Sequence, residues 1–205
     1  MEKKEHWENV YATKSQDQMS WYRDHLDNSL ELILQTGVEK DAAIIDVGGG
    51  SSTLVDDLLD RDFSDVSVLD ISGTAITKSK QRLGSSSQMV NWIVGDITEV
   101  DLPDGRFDVW HDRAVFHFLT YAADRRKYVD LVLSSLKPGG HLIVAAFGLE
   151  GPQKCSGLDV VQYSPETMQG EFGGQFALVA SLDETHNTPF GTTQEFIYCY
   201  FKKVL

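Results

Sequence analysis

The chain is short of cysteine, of positive charge and of long apolar runs, and each shortage removes a class of protein. Cys155 and Cys199 are its only cysteines, too few for a disulfide framework and in no C-x-x-C or other metal-ligand spacing. The six histidines form no i, i+4 pair and no H-E-x-x-H run, so no metal centre is expected. Eighteen Lys and Arg stand against 31 Asp and Glu, a net charge of −13 that repels phosphate backbones and anionic membrane surfaces. Nucleic acid is therefore not an expected partner. The longest uninterrupted apolar stretch, 142–147, falls far short of the ~20 residues of a membrane span. The opening Met1-Glu-Lys-Lys-Glu-His6 has no signal-peptide apolar region, so the expectation is a cytoplasmic protein without membrane attachment.

What is present is an ordinary globular composition, 41% hydrophobic and 24% charged over 205 residues, which predicts one folded domain over 1–205. Between about 42 and 147, short β-branched runs alternate with longer helix-compatible stretches, the pattern of βαβ units on a parallel sheet. Strands are predicted at 42–47, 66–71, 89–94, 107–111 and 141–147. Helices are predicted at 52–61, 73–83 and 123–136, the last stopped by Lys137-Pro-Gly-Gly140. Beyond 148, a loop leads to Ser164-Pro165, an N-cap serine with proline at the first helical position. Two β-rich runs follow, 176–182 and 195–202, joined by the turn-rich Asn187–Thr192 as an antiparallel hairpin. The expected fold is thus α/β, a Rossmann-like doubly wound, mostly parallel seven-stranded sheet closed by a C-terminal hairpin. Residues 1–40 form an arm rich in Trp7, Tyr11, Trp21 and Tyr22, read either as a lid over a site or as packing for the sheet-flanking helices, with a helix from about 28 to 35.

The chemistry concentrates where strands end. Ile44-Ile45-Asp46-Val47-Gly48-Gly49-Gly50-Ser51 is a strand running into a glycine turn, the place where open α/β sheets bind nucleotide-like ligands. A G-x-G-x-x-G dinucleotide fingerprint started at Gly48 would need glycine where Thr53 stands, which weakens a nicotinamide-cofactor reading. Asp70 ends the second strand, 24 residues after Asp46, where a carboxylate can accept both ribose hydroxyls. Asp96 ends the third. Three successive strands ending in aspartate at the ligand edge point to ligand binding more than to solubility.

In this order of motifs, residues 40–147 resemble the class I S-adenosylmethionine-dependent methyltransferases. The resemblance implies that Asp46, Gly48, Gly49 and Gly50 wrap the amino-acid part of S-adenosylmethionine and that Asp70 binds its ribose. It further implies that Asp96 and Ile97 flank the adenine, with Ile71 against a ring face. Phe107-Asp-Val-Trp-His111-Asp112-Arg113 is similar to the family's fourth strand and its substrate-facing motif. Trp7-Glu-Asn-Val-Tyr11, Ser20-Trp21-Tyr22 and Asp112-Arg113-Ala114 resemble a group of small methyltransferase-domain proteins; the aromatic arm is more loosely similar to thiopurine and thiol methyltransferases. Arg113-Ala114 departs from the Asp-Lys-Gly element of a branch of protein-lysine methyltransferases.

The leading expectation is methyl transfer by in-line displacement to a small-molecule acceptor, leaving S-adenosylhomocysteine. A protein lysine is the first alternative acceptor, and a non-catalytic cofactor-binding sensor or a nicotinamide-dependent oxidoreductase stands behind it. His111, Asp112 and His117 are the candidate catalytic groups. Trp7, Tyr11, Trp21, Tyr22 and Arg113 are the candidate lid and substrate contacts. Each histidine has a structural reading beside the functional one: His111 as a strand-end residue bonded to backbone, His117 as a packing residue between Phe116 and Phe118. Cys155, Tyr163 and His186 are weaker candidates, read first as structural.

Overall fold

The computed structural model describes residues 3–15 and 18–204; Met1, Glu2, Gln16, Asp17 and Leu205, which fall within the arm and domain boundaries expected above, lie outside the described residues. In chain order the elements are α1 (Lys3–Thr13), α2 (Asp27–Gln35), β1 (Ala43–Val47), α3 (Leu54–Leu59), β2 (Asp65–Asp70), α4 (Gly73–Leu83), β3 (Val90–Val94), β4 (Phe107–Arg113), α5 (Ala122–Ser135) and β5 (Leu136–Phe147). There follow β6 (Lys154–Cys155), β7 (Leu158–Asp159), α6 (Pro165–Phe172), β8 (Phe176–Asn187) and β9 (Thr193–Lys203). Among the described residues no helix is long and apolar enough to cross a membrane.

The seven-stranded sheet runs β3-β2-β1-β4-β5-β9-β8. Strands β1 to β5 pair in parallel, while β9 runs antiparallel to β5 and β8 antiparallel to β9. The order reverses between β1 and β4, so the loops after these two strands diverge and leave a crevice at their carboxyl ends. Both faces of the sheet are covered. Ile45 and Val47 pack with Trp110, Tyr128 and Phe172 on one side, and Ile44 packs with Leu30, Leu54 and Val55 on the other. Burial on both faces is why β1 reads as a continuous apolar run and not as an alternation.

Three departures from the sequence expectation have local causes. Helix α5 ends at Ser135, and Leu136 already pairs with Phe107, so the Lys-Pro-Gly-Gly segment lies inside β5. Pro138 keeps the residue before it out of helix, and the chain continues extended through a register shift opposite Phe107 and Val109. Gly140 serves that irregular passage, since a Cβ there would stand 2.9 Å from the Lys137 carbonyl oxygen. The hairpin strands β8 and β9 are longer than their apolar runs, because most of β8 faces solvent and carries no hydrophobic signature. The third departure is α1, a helix where only an aromatic arm was expected. Trp7 and Tyr11, four residues apart, share one face of it, a spacing that was visible in the sequence.

Candidate active site

Three consecutive glycines follow β1, and each is required by a different neighbour. Gly48 has φ +74, and a Cβ on it would lie 2.1 Å from Val115 Cγ2. A Cβ on Gly49 would lie 2.1 Å from Asp46 Oδ2, and one on Gly50 2.5 Å from Asp70 Oδ2. Backbone thus occupies space that no side chain can share. Asp70 closes the turn from β2: its Oδ2 accepts the Gly50 N–H at 2.9 Å and its Oδ1 the Ser72 N–H at 2.8 Å. Burial is the main influence on this carboxyl and raises it to about 6, against the two amide hydrogen bonds.

Above the turn lies a cavity of about 820 Å³, counted to its open mouth. Its wall includes Gly48, Asp70, Ile71, Asp96 and Ile97 from the ends of β1 to β3, and Arg113, Val115, Phe118 and Leu119 from the segment after β4. Asp96 uses Oδ1 to accept from the Thr98 N–H at 2.9 Å and the Thr98 hydroxyl at 2.8 Å. The roof comes from the arm. Trp7 meets Trp21 and Phe118 edge-on at ring-centroid distances of 5.8 and 5.1 Å, and Tyr11 meets Trp21 at 6.4 Å.

Charged contacts hold this roof down. Glu8 accepts from the Ser72 hydroxyl at 2.9 Å and from the Gly73 and Thr74 N–H groups at 2.8 and 3.2 Å, so its carboxylate sits on the N-terminus of α4. Burial alone would raise the Glu8 carboxyl, but these hydrogen bonds outweigh it and hold it below the usual range. Lys78 donates to the carbonyls of Tyr11 and Lys14, and Lys3 bridges to Asp124 of α5 at 3.1 Å. Glu8 lies within the Trp7–Tyr11 motif but nothing there marks it as a clamp, and Lys78 lies in no motif.

The candidate catalytic groups separate. Successive residues of a strand point to opposite faces, and His111 and Asp112 do so. Asp112 is fully buried, accepts from the Tyr128 hydroxyl at 2.6 Å and from the Val115 N–H at 2.8 Å, and lines neither cavity of the site. Burial raises its carboxyl to about 6 despite those bonds. His117 is also fully buried; it packs against Phe118 and Phe147, and desolvation with the nearby Arg113 charge lowers it to about 3. Both His117 and Asp112 are thus enclosed by protein and lie outside the walls of the larger and the smaller cavity. His111 bonds not to backbone but to Asp46, with Nδ1 and Oδ1 2.7 Å apart, and lines a smaller cavity on the other side of the glycine turn.

Arg113 lies on the walls of both cavities. Its guanidinium donates to the Tyr198 hydroxyl at 2.9 Å and the Trp21 carbonyl at 3.1 Å, stacks over Phe196, and stands 3.5 Å from Glu184. Glu184 also accepts from Arg23 at 2.7 Å and Asn28 at 2.9 Å, an interaction centre on β8 that sequence reasoning missed. Tyr22 lines the smaller cavity and donates its hydroxyl to Asp24 at 2.9 Å. Cys155 lines the larger cavity, and burial pushes its thiol up to about 11, so it is not a thiolate nucleophile at neutral pH. Tyr163 is buried beside Phe116, and His186 bonds the Ser20 carbonyl at 2.7 Å; neither lines the larger or the smaller cavity. Among the described residues no group of three or more His, Cys, Asp or Glu could hold a metal ion.

A cavity over a glycine turn at the β1/β4 switch point, with acids at the ends of β2 and β3, lies where a Rossmann-like methyltransferase fold places its ligand. Residues 45–144 match the family described as a methyltransferase domain. It is similar to the mouse eEF1A lysine and N-terminal methyltransferase, 27% identical over 109 residues. That match covers 53% of this chain but 15% of the relative, so the chain spans a small part of the length of such proteins. The fold is shared with Burkholderia thailandensis 1,6-didemethyltoxoflavin-N1-methyltransferase, crystallised with its substrate and S-adenosylhomocysteine (TM-score 0.70, 17% identity, 96% of this chain and 82% of that one). It is shared too with a protein solved in a study of disulfide-to-thioacetal conversion during echinomycin biosynthesis (TM-score 0.80, 15% identity, 99% and 93%).

Proposed function

We propose that this chain transfers a methyl group from S-adenosylmethionine to a small-molecule acceptor beneath the aromatic roof. The observation that carries the reading is the closure of the cavity by Trp7, Tyr11 and Trp21, which leaves an apolar chamber suited to a small ligand. The cofactor supplies a methyl carbon already activated by positive sulfur and departs as S-adenosylhomocysteine. The residues present fit it. Gly48 of the turn presents its backbone to the cavity, and Asp70 has lone pairs left for ribose hydroxyls after its two amide bonds. Asp96, with Ile71 and Ile97, offers an acceptor and two apolar faces for a base.

The protein's task in such a displacement is alignment, which supplies up to ~7 to 11 kcal/mol in favourable cases. Arg113, immobilised by Tyr198, Trp21 and Glu184, provides a rigid wall where the two cavities meet. The roof excludes water from the reacting atoms. A protein lysine is the second reading, favoured by the similarity to the eEF1A methyltransferases and by the net charge of −13, which would attract a basic target. It requires the docked arm to open for a polypeptide.

Calorimetric titration with S-adenosylhomocysteine beside NAD tests the cofactor, with binding of the first alone expected. Labelled methyl transfer to a panel of small thiols, amines and hydroxyls, run beside basic peptides, tests the acceptor. Incorporation only into peptide would reject the small-molecule reading.

A further inference from the structure

The Arg113 side chain is only 5% exposed and lines both cavities, yet its Nη2 has no hydrogen-bond partner among the described residues. Its other nitrogens are engaged, Nε by the Tyr198 hydroxyl and Nη1 by the Trp21 carbonyl, and the ring of Phe196 covers one face of the guanidinium. Glu184 stands 3.5 Å from Nη2, but its oxygens already accept from others, Oε1 from Arg23 at 2.7 Å and Oε2 from Asn28 at 2.9 Å. Burial keeps the neighbouring His186 neutral. One carboxylate thus serves two arginines, which leaves the group with a charge of +1. A buried cation with an unmatched N–H is costly until an anion meets it.

The larger cavity is also lopsided in charge. Sheet order puts Asp70 and Asp96, at the ends of β2 and β3, on one side of β1 and Arg113, at the end of β4, on the other. The wall on the Arg113 side includes Trp21, Ala114, Val115, Phe118 and Cys155, with no carboxylate among them. From this geometry we infer that Arg113 is a specificity-determining residue, which selects a small aromatic acceptor bearing a carboxylate and holds that carboxylate at Nη2; the inference rests on the methyltransferase reading above. A carboxylate is an acceptor only, and its charge-assisted bond to a guanidinium is of the stronger kind. The rings of Trp7, Trp21 and Phe118, set edge-on to one another, offer faces and edges to a flat body. Holding the carboxylate fixes one end of the acceptor and so places its nucleophile; Arg113, charged throughout, takes no proton. The same cation repels a lysine ammonium, which sets a carboxylate-bearing acceptor against the protein-lysine reading.

The test uses matched pairs: benzoate with benzamide, 2-naphthoate with 2-naphthamide, and indole-3-acetate with indole-3-acetamide. Each is titrated by calorimetry into the full chain saturated with S-adenosylhomocysteine. At least one carboxylate is expected to bind about tenfold more tightly than its amide, the scale of a hydrogen bond to a charged group. In Arg113→Gln that preference should vanish. On the unmutated protein, the Arg113 Nε–H resonance should move with the preferred carboxylate and stay still with its amide, a measurement independent of whether the variant folds. No preferred carboxylate in any pair, or a preference that survives in Arg113→Gln, would overturn the inference and leave the methyltransferase reading standing. A resonance that moves with S-adenosylhomocysteine but with none of the carboxylates would assign Nη2 to the cofactor and overturn it too. Failure of S-adenosylhomocysteine to bind the unmutated chain would overturn both.

Discussion

The Tyr128 hydroxyl joins β4 to α5 by facing two ways: it donates to Asp112 Oδ2 at 2.6 Å and accepts from Trp110 Nε1 at 2.9 Å. Trp110 and Asp112 are two residues apart on β4 and so share the face that Tyr128 covers. Tyr128→Phe removes a partner from each and is expected to lower stability by about 1–3 kcal/mol. Denaturant midpoints measure this, and S-adenosylhomocysteine affinity should stay the same, because Tyr128 lines no part of the larger or smaller cavity.

Asp70 and Asp112 give stability a pH dependence of unusual sign for carboxyls. Burial raises both to about 6 from an ordinary 3.8, so the folded state holds their protons more tightly than the unfolded chain does. Their contribution is fully present below about 3.8 and is lost as pH rises through about 6, by an amount of the order of 3 kcal/mol per carboxyl. Unfolding free energy measured between pH 4 and 8, read from the values above, should show this decline. Asp112→Asn should roughly halve it, leaving the Asp70 part.

Glu8 works in the other direction. Its carboxyl is held below the ordinary 4.5, so docking of the arm is fully supported above that value and weakens as pH falls through the lowered one. Glu8→Ala should release α1 from α4 at neutral pH and cost about 1 kcal/mol, the scale of a carboxylate at a helix N-terminus. Faster tryptic cleavage after Lys14 and Arg23 would report the release; an unchanged cleavage rate would show that Lys78 and Lys3 hold the arm unaided.

Gly48→Ala should destabilise twice over, through the left-handed backbone at about 1–2 kcal/mol and through the clash with Val115. Only the second cost can be relieved. A double-mutant cycle with Val115→Ala is expected to show a favourable coupling of about 1–2 kcal/mol between the two sites.

Trp7→Ala removes the centre of the roof while leaving the glycine turn and Asp70 intact. Surface-plasmon measurements should show S-adenosylhomocysteine dissociating on the order of tenfold faster, with association little changed. Equal dissociation rates would mean that the arm does not cover bound cofactor.

The parallel core was legible because parallel strands buried on both faces must be apolar throughout, as 42–47 and 142–147 are. Asp70 and Asp96 were legible as cavity residues from their places at strand ends, and both line it. The structure separates His111 from Asp112 because adjacent residues of a strand face opposite ways, and the two side chains serve different sides of β4. Their hydrogen-bond partners, Asp46 and Tyr128, lie 65 and 16 residues away. Nothing local announces such pairs.

By itself, the sequence determined the strand–helix alternation, the glycine turn after Asp46 and the acids at strand ends, because each depends on residue type at short spacing. Tertiary structure alone decided that the arm is a helix clamped by Glu8 to α4, that Glu184 of β8 joins Arg23 to Arg113, and that Asp46 and His111 form a buried pair. The reason is the strand order: β1 lies beside β4, and β9 beside β5, only once the sheet has assembled, and no local propensity encodes which strands become neighbours.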